Sequence, residues 1–197
     1  MSTRNIHVKI PIERIGVLIG TDGCVKEAIE RKLDVKIEVD SASGDVELIS
    51  SGPDPSLLFR ARDIVLAVGR GFSPEISFRL LNENLNLYVI DLRELFRSAA
   101  DIRRVKSRVI GRGGKTRRII EEETMTNISV YGHTISIIGD VVHIDVAKEA
   151  IEMLIKGVLH RDAYKFLDRK RNELRNIEME LWSSPSDILK KEKRRNV

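Results

Sequence analysis

Gly111-Arg112-Gly113-Gly114, running straight into Lys115-Thr116-Arg117-Arg118, is the segment of this chain best suited to holding a phosphodiester. Glycine has no side chain to prevent close approach of another backbone. Amides at the start of a following helix then face the phosphate, and the helix dipole favours its negative charge. Arg103, Arg104, Lys106, Arg108, Arg112, Lys115, Arg117 and Arg118 fall in a sixteen-residue window without a single acid, so a positive field is expected around the loop. A second loop of the same spacing, Gly20-Thr21-Asp22-Gly23, carries Asp22, whose charge would oppose a phosphate at close range. Residues 13–32 also balance four bases against four acids. Asp22 has a structural reading as well, because a carboxylate stabilises a helix N-terminus.

Other candidate chemistry is weaker. Gly114-Lys115-Thr116 resembles the end of a nucleotide-binding phosphate loop, but that motif requires glycine at position 109, which is Val. His7, His133, His143 and His160 fall in different predicted elements without ligand spacing, so neither metal nor cofactor is expected. Glu121-Glu122-Glu123 point different ways around a helix and are expected to form a solvated face toward the basic run. Cys24, the one cysteine, cannot form an internal disulfide and is expected to be buried as a packing residue. A reducing, intracellular setting follows, and with no catalytic constellation the protein is not expected to be an enzyme.

The elements that would position the two loops repeat along the chain. Gly20 to Gly111 and Ile37 to Ile128 are both separations of 91 residues, and the segment 61–65 resembles 147–151. In the first copy, alternation predicts strands over 6–10, 35–39 and 46–49. Val25, Ala28, Ile29 and Leu33 give a helix after the loop, and Pro53-Asp54-Pro55-Ser56 starts a last helix over about 56–68. The second copy is predicted as strands over 85–90, 127–131 and 134–138, with helices over about 114–124 and 141–159. Some eleven extra residues precede its glycines, and they include a helix-permissive stretch at 99–104. The order in each copy is strand, helix, helix, strand, strand, helix.

Composition bounds the rest. At roughly 100–200 residues per domain, 197 residues allow two small domains, and 42% hydrophobic with 32% charged residues excludes disordered and low-complexity classes. No stretch approaches the ~18 apolar residues of a membrane span, and no signal-peptide layout is present, so a soluble, cytoplasmic protein without membrane partners is expected. The net charge of +4 resides in the tail: residues 161–197 carry 11 bases against 7 acids. There, Ala163, Phe166, Leu167, Leu174, Ile177 and Leu181 predict an amphipathic helix, followed by the basic run Lys190–Arg195.

A helix, a GxxG loop and a second helix followed by a strand resembles a KH module, which binds four unpaired nucleotides between the loop and that strand. The repeat and element order are similar to the eukaryotic-type (type I) topology, so the fold class expected is α+β: KH domain 1 at residues 1–72, KH domain 2 at 73–160, and a basic amphipathic helix and tail at 161–197. Many KH domains have an apolar residue where this chain has Arg117, and Ile119 and Ile120 are expected to supply that core contact instead. Ile110 through Arg118, with Ile120-Glu121, Thr124, Ile128 through Gly132 and Ile137-Ile138-Gly139, resemble the KH proteins of small-ribosomal-subunit assembly, in particular the archaeal branch of the partner-of-Nob (Dim-type) family.

The resemblance implies a protein that binds single-stranded RNA near the 3′ end of small-subunit ribosomal RNA. It also implies docking of an endonuclease of the Nob type and a link to the alpha subunit of initiation factor two. The RNA-contacting set it implies is Gly111, Arg112, Gly113, Gly114, Lys115, Arg117 and Arg118, with Ile110, Ile120 and Ile128 as an apolar floor and Arg104 and Arg108 adding charge. Gly20, Thr21, Asp22 and Gly23 would be a weak or degenerate RNA site. With aromatic residues at 5%, base recognition would rest on an apolar groove and hydrogen bonds more than on stacking. The alternatives are a protein-interaction adaptor, or another tandem-KH regulator of translation or RNA decay.

Overall fold

The computed structural model describes residues 4–50 and 52–181, leaving aside the side chains of Ile177, Glu178, Glu180 and Leu181. The predicted contribution of Ile177 and Leu181 to an apolar stripe, and the basic run Lys190–Arg195, therefore lie outside the description.

The chain is α+β, with two three-stranded antiparallel sheets, each covered on one face by helices. The first sheet contains β1 (Arg4–Lys9), β2 (Lys36–Val39) and β3 (Asp45–Ser50) in the order β1-β3-β2. Its helices are α1 (Ile15–Ile19), α2 (Cys24–Leu33) and α3 (Pro55–Gly69). A connector with the short helix α4 (Pro74–Ser77) leads to the second sheet. That sheet contains β4 (Asn86–Asp91), β5 (Asn127–Tyr131) and β6 (Thr134–Gly139) in the order β4-β6-β5. The extra residues of the second copy fold as α5 (Leu92–Leu95) and the first turns of α6 (Ala99–Ile110), whose end corresponds to α1; Ser98 starts α6, its Oγ accepting from the Ala100 amide at 3.2 Å. After the second loop come α7 (Lys115–Thr124), α8 (Val141–Ile155) and α9 (His160–Leu181).

Register explains the alternation. Leu48 on the middle strand lies between Ile6 and Ile37, and Ile137 lies between Tyr88 and Ile128. Leu18, Ile29, Ile37 and Leu48 are fully buried in the first core; Val109, Ile120, Ile128 and Ile137 occupy the matching places in the second. Each such side chain contributes roughly 1.5–3 kcal/mol through removal from water. The repeat extends to hydrogen bonds: Glu30 Oε1 accepts from the Ile37 amide at 2.7 Å, and Glu121 Oε1 accepts from the Ile128 amide at 2.8 Å.

Three expectations need correction. The last helix of the second copy stops at Ile155, because Gly157 turns left-handed (φ 91°) and its amide bonds back to the Leu154 carbonyl, a glycine C-cap. Cys24 is exposed, since the first turn of α2 faces solvent there. Glu121 and Glu123 are half-buried and engaged, the latter with Arg171 of α9 at 2.9 Å, and only Glu122 is exposed.

The two units meet along β5. Ser129 Oγ donates to the Arg70 carbonyl at 2.8 Å, Tyr131 donates to Glu13, and the Arg14 guanidinium lies 5.7 Å from the Tyr131 ring centre. Gly71 is needed at this seam, since a Cβ there would come within 2.8 Å of Ser129 Oγ. Helix α9 is part of the second core through Ala163, Phe166 and Leu167, all buried.

Candidate nucleic-acid interface

Both glycine loops follow one backbone path. Gly20 and Gly111 have φ/ψ of 75°/177° and 72°/174°, and Gly23 and Gly114 have 83°/2° and 76°/11°. Between them, Asp22 (52°/27°) adopts the left-handed conformation that Gly113 adopts (60°/25°), which aspartate tolerates better than most residues. A Cβ on Gly111 would lie 2.2 Å from Thr116 Oγ1, and one on Gly20 would lie 2.6 Å from Val25 Cγ2. The first glycine of each loop is thus required by packing under the following helix. At Gly113 a Cβ would meet nothing within 4 Å, so that backbone is open to an approaching ligand.

The cations of the basic window divide by what they touch. Arg112 and Lys115 are exposed and form no ion pair among the described residues, leaving their charge available beside the open backbone. Arg118 Nη2 donates to the Gly113 carbonyl at 3.0 Å, bracing the loop from its helix side. Arg117 pairs with Glu121 at 3.5 Å, and Arg104 pairs with Asp101 at 3.0 Å. The Arg104–Asp101 pair is solvent-accessible and contributes little stability, whereas the Arg117–Glu121 pair is half-buried, with Arg117 Nε shielded from solvent.

Arg108 belongs elsewhere. Its Nε donates to the Leu154 carbonyl at 3.0 Å and its Nη2 to the Val158 carbonyl at 2.5 Å, so the guanidinium closes the end of α8 rather than facing a ligand. Ile120 and Ile128, expected as a groove floor, are 1% and 3% exposed and sit in the second core. They shape the groove from beneath without being available to a nucleotide, whereas Ile110 is half-buried at the end of α6. Thr116, not Arg117 or Ile119, takes the inward position at the start of α7, with Ile120 one turn on.

Two residues of α9 complete the site and were not among the expected ones. Tyr164 Oη lies 2.9 Å from Thr116 Oγ1, and His160 Nε2 donates to the Arg108 carbonyl at 2.9 Å. Both partners are about fifty positions away in sequence, and no local pattern marks such a pairing. Across the loop, Lys106 Nζ donates to the Gly132 carbonyl at 2.7 Å, tying α6 to the β5–β6 turn. A cavity of about 600 Å³ lies between β4 and the end of α8; its walls carry Asp91, Glu94 and Glu152 against the single cation Lys156, the wrong balance for phosphate.

Among the described residues, no cluster of His, Cys, Asp and Glu could hold a metal ion, and no helix is long and apolar enough to cross a membrane.

Residues 86–172 match the family model of a eukaryotic-type KH domain (KH-domain type I). The chain is 47% identical to the KH domain-containing protein MJ0443 of Methanocaldococcus jannaschii over 183 residues, covering 92% of this chain and 80% of that protein. It is 32% identical to the RNA-binding protein pno1 of Dictyostelium discoideum, over 76% of this chain and 64% of that one. Among solved structures, aDim2p in the a/eIF2alpha-aDim2p-rRNA complex from Pyrococcus horikoshii superposes with a TM-score of 0.82 at 46% identity, covering 87% of this chain and 96% of that one.

Proposed function

Because this chain belongs to the archaeal Dim2p–PNO1 family of KH-domain proteins, we propose that it is a non-enzymatic RNA-binding factor that acts on small-subunit ribosomal RNA and grips a single strand at Gly111–Gly114. The observation that carries this is the pairing of an unobstructed Gly113 backbone with two uncommitted cations, Arg112 and Lys115, at the start of α7. On this reading both units are type I KH modules, residues 1–72 and 73–160, followed by the helix and tail of 161–197. The shared element order and the matching loop backbones support that assignment.

The RNA is a single-stranded sequence near the 3′ end of small-subunit rRNA, and the protein partners are a Nob-type endonuclease and the alpha subunit of initiation factor two, in the cytoplasm. The Pyrococcus relative, solved with rRNA and a/eIF2alpha, supports the second partner and the RNA class. Asp22 favours a different task for the first unit: a carboxylate at the position of Gly113 suits a protein-docking or scaffolding module better than a phosphate grip.

The test compares a labelled oligonucleotide matching the rRNA 3′ end with a scrambled one, for the wild type, Thr21→Asp and the double variant Arg112→Asp/Gly113→Asp. Selective binding lost only in the double variant is expected. Equal, salt-sensitive binding of both oligonucleotides by all three proteins would overturn the assignment and leave a nonspecific basic surface.

A further inference from the structure

Helix α6 presents two opposite flanks to the glycine loop. Lys106 and Ile110 are one helical turn apart on the flank that reaches the β5–β6 turn, where four nucleotides laid between loop and β5 would run. Arg104 and Arg108 occupy the other flank, which faces the end of α8 and the start of α9. On this second flank lies a cavity of about 490 Å³, open to solvent and bounded by α6, the glycine loop, the first turn of α7 and the first turns of α9. Arg104, Arg112 and Lys115 supply three cations, while Ser107, His160 and Tyr164 add polar groups. The one carboxylate engaged with these cations is the half-buried Asp101 on Arg104. The Arg108 carbonyl accepts from His160 Nε2, so the neutral ring presents Nδ1 as its acceptor, and the Tyr164 hydroxyl is fixed by Thr116.

We propose that this cavity seats the phosphate and ribose of a nucleotide flanking the four held across the groove, so that the RNA bends around the glycine loop toward α9. The proposal rests on the groove reading above and extends it: the loop would be a corner in the RNA path rather than its end. Three cations drawn from two helices and the loop converge on a volume large enough for a nucleotide, and the wall opposite sets the His160 ring and the Tyr164 hydroxyl among apolar surface. The polar ends of His160 and Tyr164 are held by Arg108 and Thr116, which fixes that wall in place.

The test uses a four-nucleotide RNA that the full chain binds, and the same RNA extended by two nucleotides at the 5′ end or at the 3′ end. The wild type is expected to gain about tenfold in affinity from extension at one end only, with a salt dependence steeper by about 0.7 for each phosphate seated. Ser107 is exposed on α6 and touches the loop through its carbonyl, which accepts from the Gly111 amide, while its side chain holds none of the loop cations by a hydrogen bond, so Ser107→Met fills the cavity without changing charge. It should abolish the gain and the extra salt slope while leaving the four-nucleotide affinity unchanged, and Ser107→Ala should behave as wild type. Equal small gains at both ends, or a gain that survives Ser107→Met, would overturn the seat and leave the groove reading intact. Failure of the wild type to hold any four-nucleotide RNA would overturn both.

Discussion

Arg14 and Arg108 do the same work from positions three residues out of step in the repeat. Arg14 Nε and Nη2 donate to the carbonyls of Val68 and Phe72 at 2.8 and 2.6 Å, and Arg108 uses the same atoms on Leu154 and Val158. In both units the acceptors lie where a glycine, Gly71 or Gly157, ends the long helix and exposes its last carbonyls. A charged donor meeting two such carbonyls contributes more than an ordinary hydrogen bond. Arg108→Met is accordingly expected to destabilise the fold by about 1–3 kcal/mol in urea unfolding. RNA affinity per folded molecule should be unchanged; a selective loss of affinity at full stability would show that Arg108 faces the ligand.

Asp22 demonstrates that an aspartate can occupy the left-handed conformation of Gly113. Gly113→Asp should therefore fold with a melting temperature near that of the wild type and lose RNA affinity by tenfold or more, because a carboxylate enters the open face of the loop. Gly111→Ala should do the reverse in order of severity. Its methyl would collide with Thr116, so unfolding should move to lower temperature before any binding defect is read.

Glu121 spans the gap between α7 and β5 by accepting from the Ile128 amide. Glu121→Ala leaves that part-buried donor unpaired and should cost about 1–3 kcal/mol. Glu30→Ala should cost a similar amount through Ile37. Hydrogen exchange at Ile37 and Ile128 distinguishes this from a general loss of charge, since each variant should accelerate its own amide most.

His133, in the turn between β5 and β6, has its imidazolium disfavoured by partial burial, an effect that outweighs the pull of Asp91 and is helped by Arg93, Arg70 and Lys106. Its folded pKa lies below the unfolded value near 6.5, so the unfolded chain binds the proton first. Stability contributed by the neutral ring is present above about pH 6.5 and is lost as pH falls through the folded value. His133→Asn should flatten the decline in urea midpoint just below pH 6.5; an unchanged slope would assign that decline to other groups.

Much of the site was legible because loop glycines and alternating strands are local signals. Gly20 and Gly111, with Ile37 and Ile128 at the same separation, carry both the repeat and the place of each loop. Periodicity identifies Ile120 and Ile128 as apolar-face residues, yet it does not distinguish a core face from a groove face, and they proved to be core. Arg108 reads as one more cation in a basic run, since its acceptors are 46 and 50 residues away. Tyr164 and His160 were invisible for the same reason. Gly157, by contrast, carried a local stop signal that the apolar run around it concealed.

The seam along β5 gives the first unit a use that needs no ligand of its own. Asn127, Ser129 and Tyr131 alternate on the strand face turned away from the second core, and each is bonded to the first unit or the connector: Asn127 to Arg79, Ser129 to Arg70 and Tyr131 to Glu13. An edge strand supported along its outer face resists bowing, which holds the distance between β5 and the helices across from it. The first unit, whose loop carries Asp22, thus serves as a splint for the second. Removing the first unit would leave Ser129 and Tyr131 without these partners even though every residue of the basic loop remained.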